Sequence, residues 1–179
     1  MNALRDFKQN KYGLQMRLVE VADAEFIVSL RSDSKLSQYL HSTDNDIAKQ
    51  QKWIIEYKKR EALGLEYYFI FHKDETPCGV ERIYNITSES FTIGSWIFKK
   101  DIDPDIPILA NLLTKSLAFD LFPDKTFLFD VRKGNRKVIK YQKLFNPIKI
   151  GEDDLNFYYK LSVENYRKAE QRLLSALNY

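Results

Sequence analysis

Residues Thr126–Phe145 read TFLFDVRKGNRKVIKYQKLF, and this stretch decides how the chain folds. Thr126–Val131 is an almost continuous apolar run, the pattern of a strand covered on both faces. From about Asn135 to Phe145 the pattern becomes helical, so the unit reads strand–turn–helix. Between Val131 and Gly151 lie seven bases, Arg132, Lys133, Arg136, Lys137, Lys140, Lys143 and Lys149, and no acid. Cations gathered on one such unit focus a positive potential and suit a polyanionic ligand such as a phosphate. Composition alone allows a solvated helix face equally well. A single-stranded nucleic acid would need aromatics spread over an exposed sheet. Phe127 and Phe129 instead share one strand face and read as core, which argues against nucleic acid.

Upstream of this unit, Leu109, Leu112, Leu113, Ser116 and Leu117 follow i, i+3, i+4 spacing, predicting a helix over Ile106–Phe122 that Pro123 ends. Three strands precede it, at Glu66–His72, Gly79–Ile86 and Phe91–Phe98, with turns at Lys73–Thr76 and Thr87–Ser90. Nearer the N-terminus, Gln15–Glu20 alternates as a first strand, and Asp23 is expected to cap a helix burying Phe26, Ile27 and Leu30. One helical turn is expected around Leu36–Leu40. Asp44 or Asp46 then caps a helix over Ile47–Leu63, with Ile47, Ile54 and Tyr57 inward and Gly64 at the left-handed position that ends it. Downstream, Ile148–Ile150 and Leu155–Leu161 close the sheet, and Ser162 caps a helix carrying Tyr166, Leu173, Leu174 and Leu177 on one side. The order β–α–α–β–β–β–α–β–α–β–β–α predicts an α+β chain, α/β-like in its three layers, around one mixed sheet. No repeat and no flexible linker divides it. A single domain over residues 1–179 is expected, with a core at about 14–161 and a C-terminal helix at about 163–177.

Composition removes several function classes. The chain has 179 residues, a net charge of +3, one cysteine and two histidines. A lone cysteine excludes a disulfide framework or a multi-cysteine metal site, and His41 and His72 lie too far apart for a helical ligand pair, so no metal is expected. Cys78 is expected to be an inert, half-buried thiol. The polar MNALRDFKQNKYG start and the lack of any apolar run near 20 residues predict a cytoplasmic protein with no membrane partner. Nucleophile-elbow, P-loop and dinucleotide-binding signatures are missing.

Four stretches carry a resemblance to a known family: LRSDSKLSQYL (Leu30–Leu40), PCGVERIYNI (Pro77–Ile86), FTIGSWIF (Phe91–Phe98) and FDVRKGNRKVIKYQKLF (Phe129–Phe145). With the element order from about Leu14 to Tyr166, the chain resembles the GCN5-related N-acetyltransferase (GNAT) superfamily, most of all its ribosomal-protein-alanine and amino-sugar acetyltransferase branches. The resemblance implies a mixed, mostly antiparallel sheet flanked by helices on both faces. It implies acetyl-CoA as co-substrate, wedged between the splayed strands at Phe91–Phe98 and Thr126–Val131, with its pyrophosphate at the start of the helix that follows Phe91–Phe98. Trp96, Ile97, Phe98, Ile106, Ile108, Asn135, Arg136, Lys137 and Lys140 are the positions implied to hold it. The implied reaction is acetyl transfer to a primary amine, first of an amino-sugar nucleotide and second of a protein N-terminus. Arg31 and His41 fall where the family lines its acceptor pocket, and a homodimer is compatible with it.

The chain departs from the family pattern at two places. The usual glycine-rich phosphate loop is replaced by Asp105-Ile106-Pro107-Ile108, where Pro107 lacks an N–H and Asp101, Asp103 and Asp105 repel phosphate. Asn135, Val138 and Gln142 share the helix face that the resemblance turns toward the CoA thiol. The last of them is Gln142 where a tyrosine acid is usual, and an amide hydrogen-bonds a thiol but cannot protonate a thiolate. Tyr141 lies about 100° further round and reads as core. The strand position that carries a base in many relatives is Thr92, which leaves Glu81 as the candidate base, or else as a solvated strand residue. The alternative function is a catalytically degenerate GNAT-fold domain that binds CoA or a protein partner.

Overall fold

The computed structural model describes residue 4 and residues 6–39 and 45–179 of the chain. The acceptor-pocket candidate His41 and the cap candidate Asp44 lie outside these. Strands β1 (Lys8–Lys11), β2 (Leu14–Leu18), β3 (Tyr67–Lys73), β4 (Thr76–Tyr84), β5 (Ser90–Phe98), β6 (Thr126–Arg132), β7 (Ile148–Glu152) and β8 (Asn156–Leu161) form one sheet in the order β1-β2-β3-β4-β5-β6-β8-β7. Neighbours run antiparallel except β5 and β6, which are parallel. The helices are α1 (Ala24–Ser32), α2 (Ser34–Ser37), α3 (Ile47–Ala62), α4 (Asp105–Leu121), α5 (Arg136–Lys143) and α6 (Val163–Ala176).

Strand alternation divides the core into two layers. On one face, Phe69, Phe71, Phe91, Phe127 and Phe129 pack with Leu109, Leu112 and Leu113 of α4 and Tyr166 of α6. On the other, Tyr68, Ile70, Val80 and Ile97 pack with Ile27 and Leu30 of α1 and Ile54 and Tyr57 of α3. Helices therefore flank a mixed, mostly antiparallel sheet on both sides, as expected.

Several local expectations need correction. The first strand of the sheet is β1, joined to β2 by Tyr12 and Gly13 at φ 56° and 66°. Two successive positive φ values form the tight hairpin turn that matches strand twist; the polar KQNK strand gave no apolar alternation to announce it. Asp23 does not cap α1 with its side chain. Its carboxylate accepts two hydrogen bonds from Arg17, at 2.7 and 2.8 Å, and one from the Glu20 N–H at 2.7 Å, so it clamps the entry to the helix. Asp46 caps α3, accepting from the Lys49 N–H, but Ile47 is exposed and the buried face is Gln50, Ile54, Tyr57 and Glu61. β6 is not covered on both faces: Phe127, Phe129 and Val131 are buried while Thr126 and Asp130 are exposed.

That half-open strand borders the feature that positions the site. The parallel ladder between β5 and β6 joins only Ser90 to Thr126 and Phe91 to Phe127, after which the strands splay. On its other side β5 carries a bulge, since Val80 pairs Ile97 and Arg82 pairs Gly94, leaving Ser95 and Trp96 opposite Glu81. Ser95 takes a left-handed φ of 54°. The bulge also reverses the strand's alternation: Phe91 and Ile93 face the α4 layer, whereas Ile97 faces the α1/α3 layer.

Candidate active site

The fork between β5 and β6 holds a cavity of about 270 Å³. Ile93–Trp96 form one wall and Phe129–Arg132 the other. Asn135, Val138 and Gln142 reach it from the α5 unit, and Glu81 of β4 with Asn111 and Lys115 of α4 meet it from inside the protein. The three α5-unit positions that helical spacing placed on one face thus converge on one space. Arg31 and Tyr39 also line it, as do Tyr84 and Asn156.

Glu81 is fully buried, so the solvated-strand alternative fails. Its Oε1 accepts from the Asn111 amide, and its Oε2 is buried without a hydrogen-bond partner. Burial pushes the carboxyl up to about 7, against the opposing pull of Thr114, Asn111 and the Lys115 charge. Lys115 is equally buried, and burial pushes its ammonium down to about 7, with Glu81 opposing. Its Nζ donates to Gln142 Oε1 at 3.1 Å and lies 3.7 Å from the centre of the Phe145 ring. The Tyr141 ring lies tilted beside Trp96, ring centres 5.3 Å apart, and its hydroxyl donates to Asn111 Oδ1 at 2.8 Å. Burial, reinforced by the Glu81 charge, raises the Tyr141 phenol well above its ordinary 10, so it keeps its proton. Asn111 therefore links Tyr141 to Glu81, and a carboxyl with one unused oxygen faces the cavity. That arrangement can take a proton from a bound group.

A second cavity, of about 490 Å³, shares Tyr39, Trp96, Asn135 and Val138 with the first. Ile97, Phe98, Arg136 and Lys137 line it, along with Lys35 of α2. Trp96 is fixed by its indole N–H donating to the Pro107 carbonyl at 3.1 Å, and Tyr39 by its hydroxyl donating to the Gly134 carbonyl at 2.9 Å. Asn135 caps α5 by accepting from the Val138 N–H at 3.3 Å. Lys140 is exposed and lines neither space.

The start of α4 is arranged differently. Asp103 accepts from the Asp105 N–H with its carboxylate at 2.9 Å and from the Ile106 N–H with its carbonyl at 3.0 Å. Two of the amides a phosphate would use are already taken, and by an acid. The Ile106 side chain is buried in the core and Ile108 packs against it.

The sequence did not single out Asn111 and Lys115. Both sit on α4, where Lys115 follows Leu112 by three positions and so falls on the apolar stripe; a charge at a stripe position was the available signal. Cys78 is more buried than expected, with its thiol on the Phe71 carbonyl and burial raising it to about 11. Among the described residues, no group of three or more His, Cys, Asp and Glu is placed to hold a metal ion, and no helix is long and apolar enough to cross a membrane.

No protein-family model and no curated protein matches the chain. Solved structures do. Apo FdhC, described as a nucleotide-linked sugar GNAT, is 35% identical with a TM-score of 0.84, over 94% of this chain and 97% of that one. The ribosomal-protein-S5-alanine acetyltransferase of Vibrio fischeri, 15% identical, superposes with a TM-score of 0.75 over 90% of this chain and 99% of its own. Mycobacterium smegmatis RimJ in complex with CoA-disulfide, 16% identical, gives 0.76 over 92% and 89%. The last two speak for the fold.

Proposed function

The chain belongs to the GCN5-related N-acetyltransferase (GNAT) family and is an acyl-transfer enzyme, and from that premise we propose that it moves acetyl from acetyl-CoA to the primary amine of a nucleotide-linked amino sugar. The observation that carries the reading is the unpartnered Glu81 Oε2 in the cavity of the β5/β6 fork. A carboxyl held near neutrality suits the removal of a proton from an attacking amine at physiological pH. Asn111 fixes its orientation, and Tyr141 in turn fixes Asn111. The bulged backbone at Ser95 and Trp96, which faces Glu81, is the candidate to polarise the thioester carbonyl.

Acetyl-CoA supplies the acyl group. The residues of the second cavity fit it: Trp96, Ile97 and Phe98 offer an apolar wall, and Arg136, Lys137 and Lys35 offer cations for phosphate. The self-capped start of α4 does not, so the phosphates are assigned to α2 and α5. For the acceptor, the cations Arg31 and Arg132 at the first cavity suit a diphosphate, and the 35%-identical relative described as a nucleotide-linked sugar GNAT supports that choice. The reading takes residues 1–179 as one acetyltransferase domain acting in the cytoplasm.

Thermal denaturation with acetyl-CoA, followed by release of CoA thiol, tests this. At 100 times the dissociation constant acetyl-CoA should add about 2.7 kcal/mol, a rise of several degrees for this size. Thiol release should follow with nucleotide-linked amino sugars and not with peptides bearing a free N-terminal alanine. No shift at millimolar acetyl-CoA would overturn the reading, and a preference for peptides would overturn the acceptor.

A further inference from the structure

Among the buried residues of α4, Lys115 alone carries a charge; the others include Leu109, Leu112, Leu113, Ala118 and Phe119. A buried ammonium costs several kcal/mol unless it is paired, yet among the described residues Lys115 makes no ion pair. Among the described residues its one hydrogen bond is the 3.1 Å donation to Gln142, which leaves two of its three N–H groups without an acceptor there. The Phe145 and Tyr141 rings, at 3.7 and 5.1 Å, favour the cation by their π faces without consuming a proton. Packing would be served as well by leucine, so the lysine is explained by chemistry in the cavity it lines.

We propose that Lys115 is the acid of the transfer, protonating the CoA thiolate as it leaves while Glu81, in the same cavity, takes the proton of the amine. This rests on the acetyl-transfer reading above. The amine nitrogen forms a bond to the thioester carbonyl carbon, and the C–S bond breaks with its electron pair on sulfur. The surplus proton of the nitrogen passes to Glu81, and an ammonium proton of Lys115 passes to sulfur. A buried pair that begins as carboxylate and ammonium ends as carboxyl and amine, with net charge zero throughout, and exchange with cavity water resets both. Burial, which disfavours each charge, drives the pair in this direction. Gln142 is then a positioning residue: unable to donate a proton to sulfur, it holds the group that does.

The titratable groups facing Lys115 are Glu81 from β4 and Tyr141 from α5, and the latter keeps its proton. The other ionisable residues around the cavity are Arg31, Tyr39, Tyr84, Asp130 and Arg132. With Glu81 ionised and Lys115 protonated as the active form, kcat should follow a bell whose two limbs belong to the pair.

The deciding variant is Lys115→Arg. It preserves the buried positive charge beside Glu81 but holds its protons too tightly to give one up, and the cavity offers room for its larger head. Acetyl-CoA binding by thermal shift should remain, kcat should fall about 100-fold, and the alkaline limb should disappear. NMR of the free protein with ¹³C-labelled lysine should show one lysine titrating near 7, absent in the variant. Wild-type kcat and alkaline limb in Lys115→Arg would overturn the assignment, since an ion-holding role is rescued by arginine. So would a lysine spectrum with every residue charged up to pH 10. A wild-type protein that neither binds acetyl-CoA nor releases thiol would instead sink the acetyl-transfer reading, and the acid role with it.

Discussion

Two buried glutamates sit on opposite faces of the sheet and meet opposite fates. Glu66, just before β3, is 7% exposed; its Oε2 accepts a hydrogen bond from Arg60 at 2.7 Å, and its Oε1, which makes no hydrogen bond, is ion-paired with Arg82 at 3.0 Å, both arginines lying over the Trp53 ring. Glu81 is 0% exposed, has one amide donor, and leaves an oxygen unpartnered. Arg82 and Glu81 are neighbours on β4, and strand alternation sends the arginine to the Glu66 side and the glutamate to the α4 side. The same side chain is closed into a salt-bridged cluster on one face and left reactive on the other. What separates a structural carboxylate from a chemical one is the supply of partners, and burial alone does not distinguish them.

The largest effects should come from breaking each glutamate in turn. Glu66→Ala strands two half-buried arginines; because Arg60 is partly screened by solvent, the loss should be about 2–3 kcal/mol of stability, read by urea denaturation. In the fraction that stays folded, kcat should be close to wild type. Glu81→Gln should do the reverse, leaving the stability read by urea at pH 5, where the folded protein keeps Glu81 protonated, within about 1 kcal/mol of wild type and lowering kcat about 100-fold. Equal loss of stability from the two substitutions would erase the contrast, and full kcat in Glu81→Gln would leave positioning as the whole of the mechanism.

What could be read in the sequence follows from how local each signal is. Asn135, Val138 and Gln142 were placed on one face because helical periodicity depends on a few adjacent residues, and all three reach the cavity. The splay of β5 from β6 and the helices on both faces of one mixed sheet followed from element order through the family resemblance. By contrast, Asn111 and Lys115 were missed because polar residues inside the mostly apolar ILANLLTKSLAF read as breaks in the stripe, and what they face depends on the packing partner, which periodicity does not show. Ile97 changes layers because one extra residue at Ser95 inverts the strand's alternation, and no periodicity reveals where a bulge falls. β1 was missed for want of any apolar residue, its place in the sheet resting on the ladder with β2 alone.

The two cavities allow a smaller, separate test. Arg136 and Lys137 line the second cavity, while Lys140 and Lys143, also basic and exposed, line neither. The paired change Arg136→Ala/Lys137→Ala should weaken acetyl-CoA about 10-fold and flatten the salt dependence of what binding remains. The same change at Lys140 and Lys143 should leave affinity within about 2-fold, as for exposed charges that contact no ligand. Equal effects of the two pairs would return the whole basic stretch to a diffuse field with no assigned phosphate contact.

The gentlest effect is the contribution of Glu81 to the dependence of stability on pH between 4.5 and about 7. In the folded protein Glu81 keeps its proton up to about 7, whereas in the unfolded chain it loses it near its ordinary 4.5. Between those values the folded state binds the extra proton, so stability falls as pH rises, by no more than about 1.4 kcal/mol per pH unit. Lys115 adds nothing in that window, because it is protonated in both states below about 7. Above 7 its sign is opposite: the unfolded chain holds the proton that the folded protein has shed, and stability recovers. His72, lowered from 6.5 by burial, acts inside the window with the opposite sign, and acidic groups with lowered values, among them Asp33, Glu152 and Glu164, act below it; all of these cancel in a difference measurement. Urea midpoints of wild type minus Glu81→Gln, followed from pH 4.5 to 7, should therefore slope downward. A flat difference would mean that Glu81 ionises in the folded protein as it does in water, and that its burial, unlike that of Glu66, is relieved by a partner that the cavity admits.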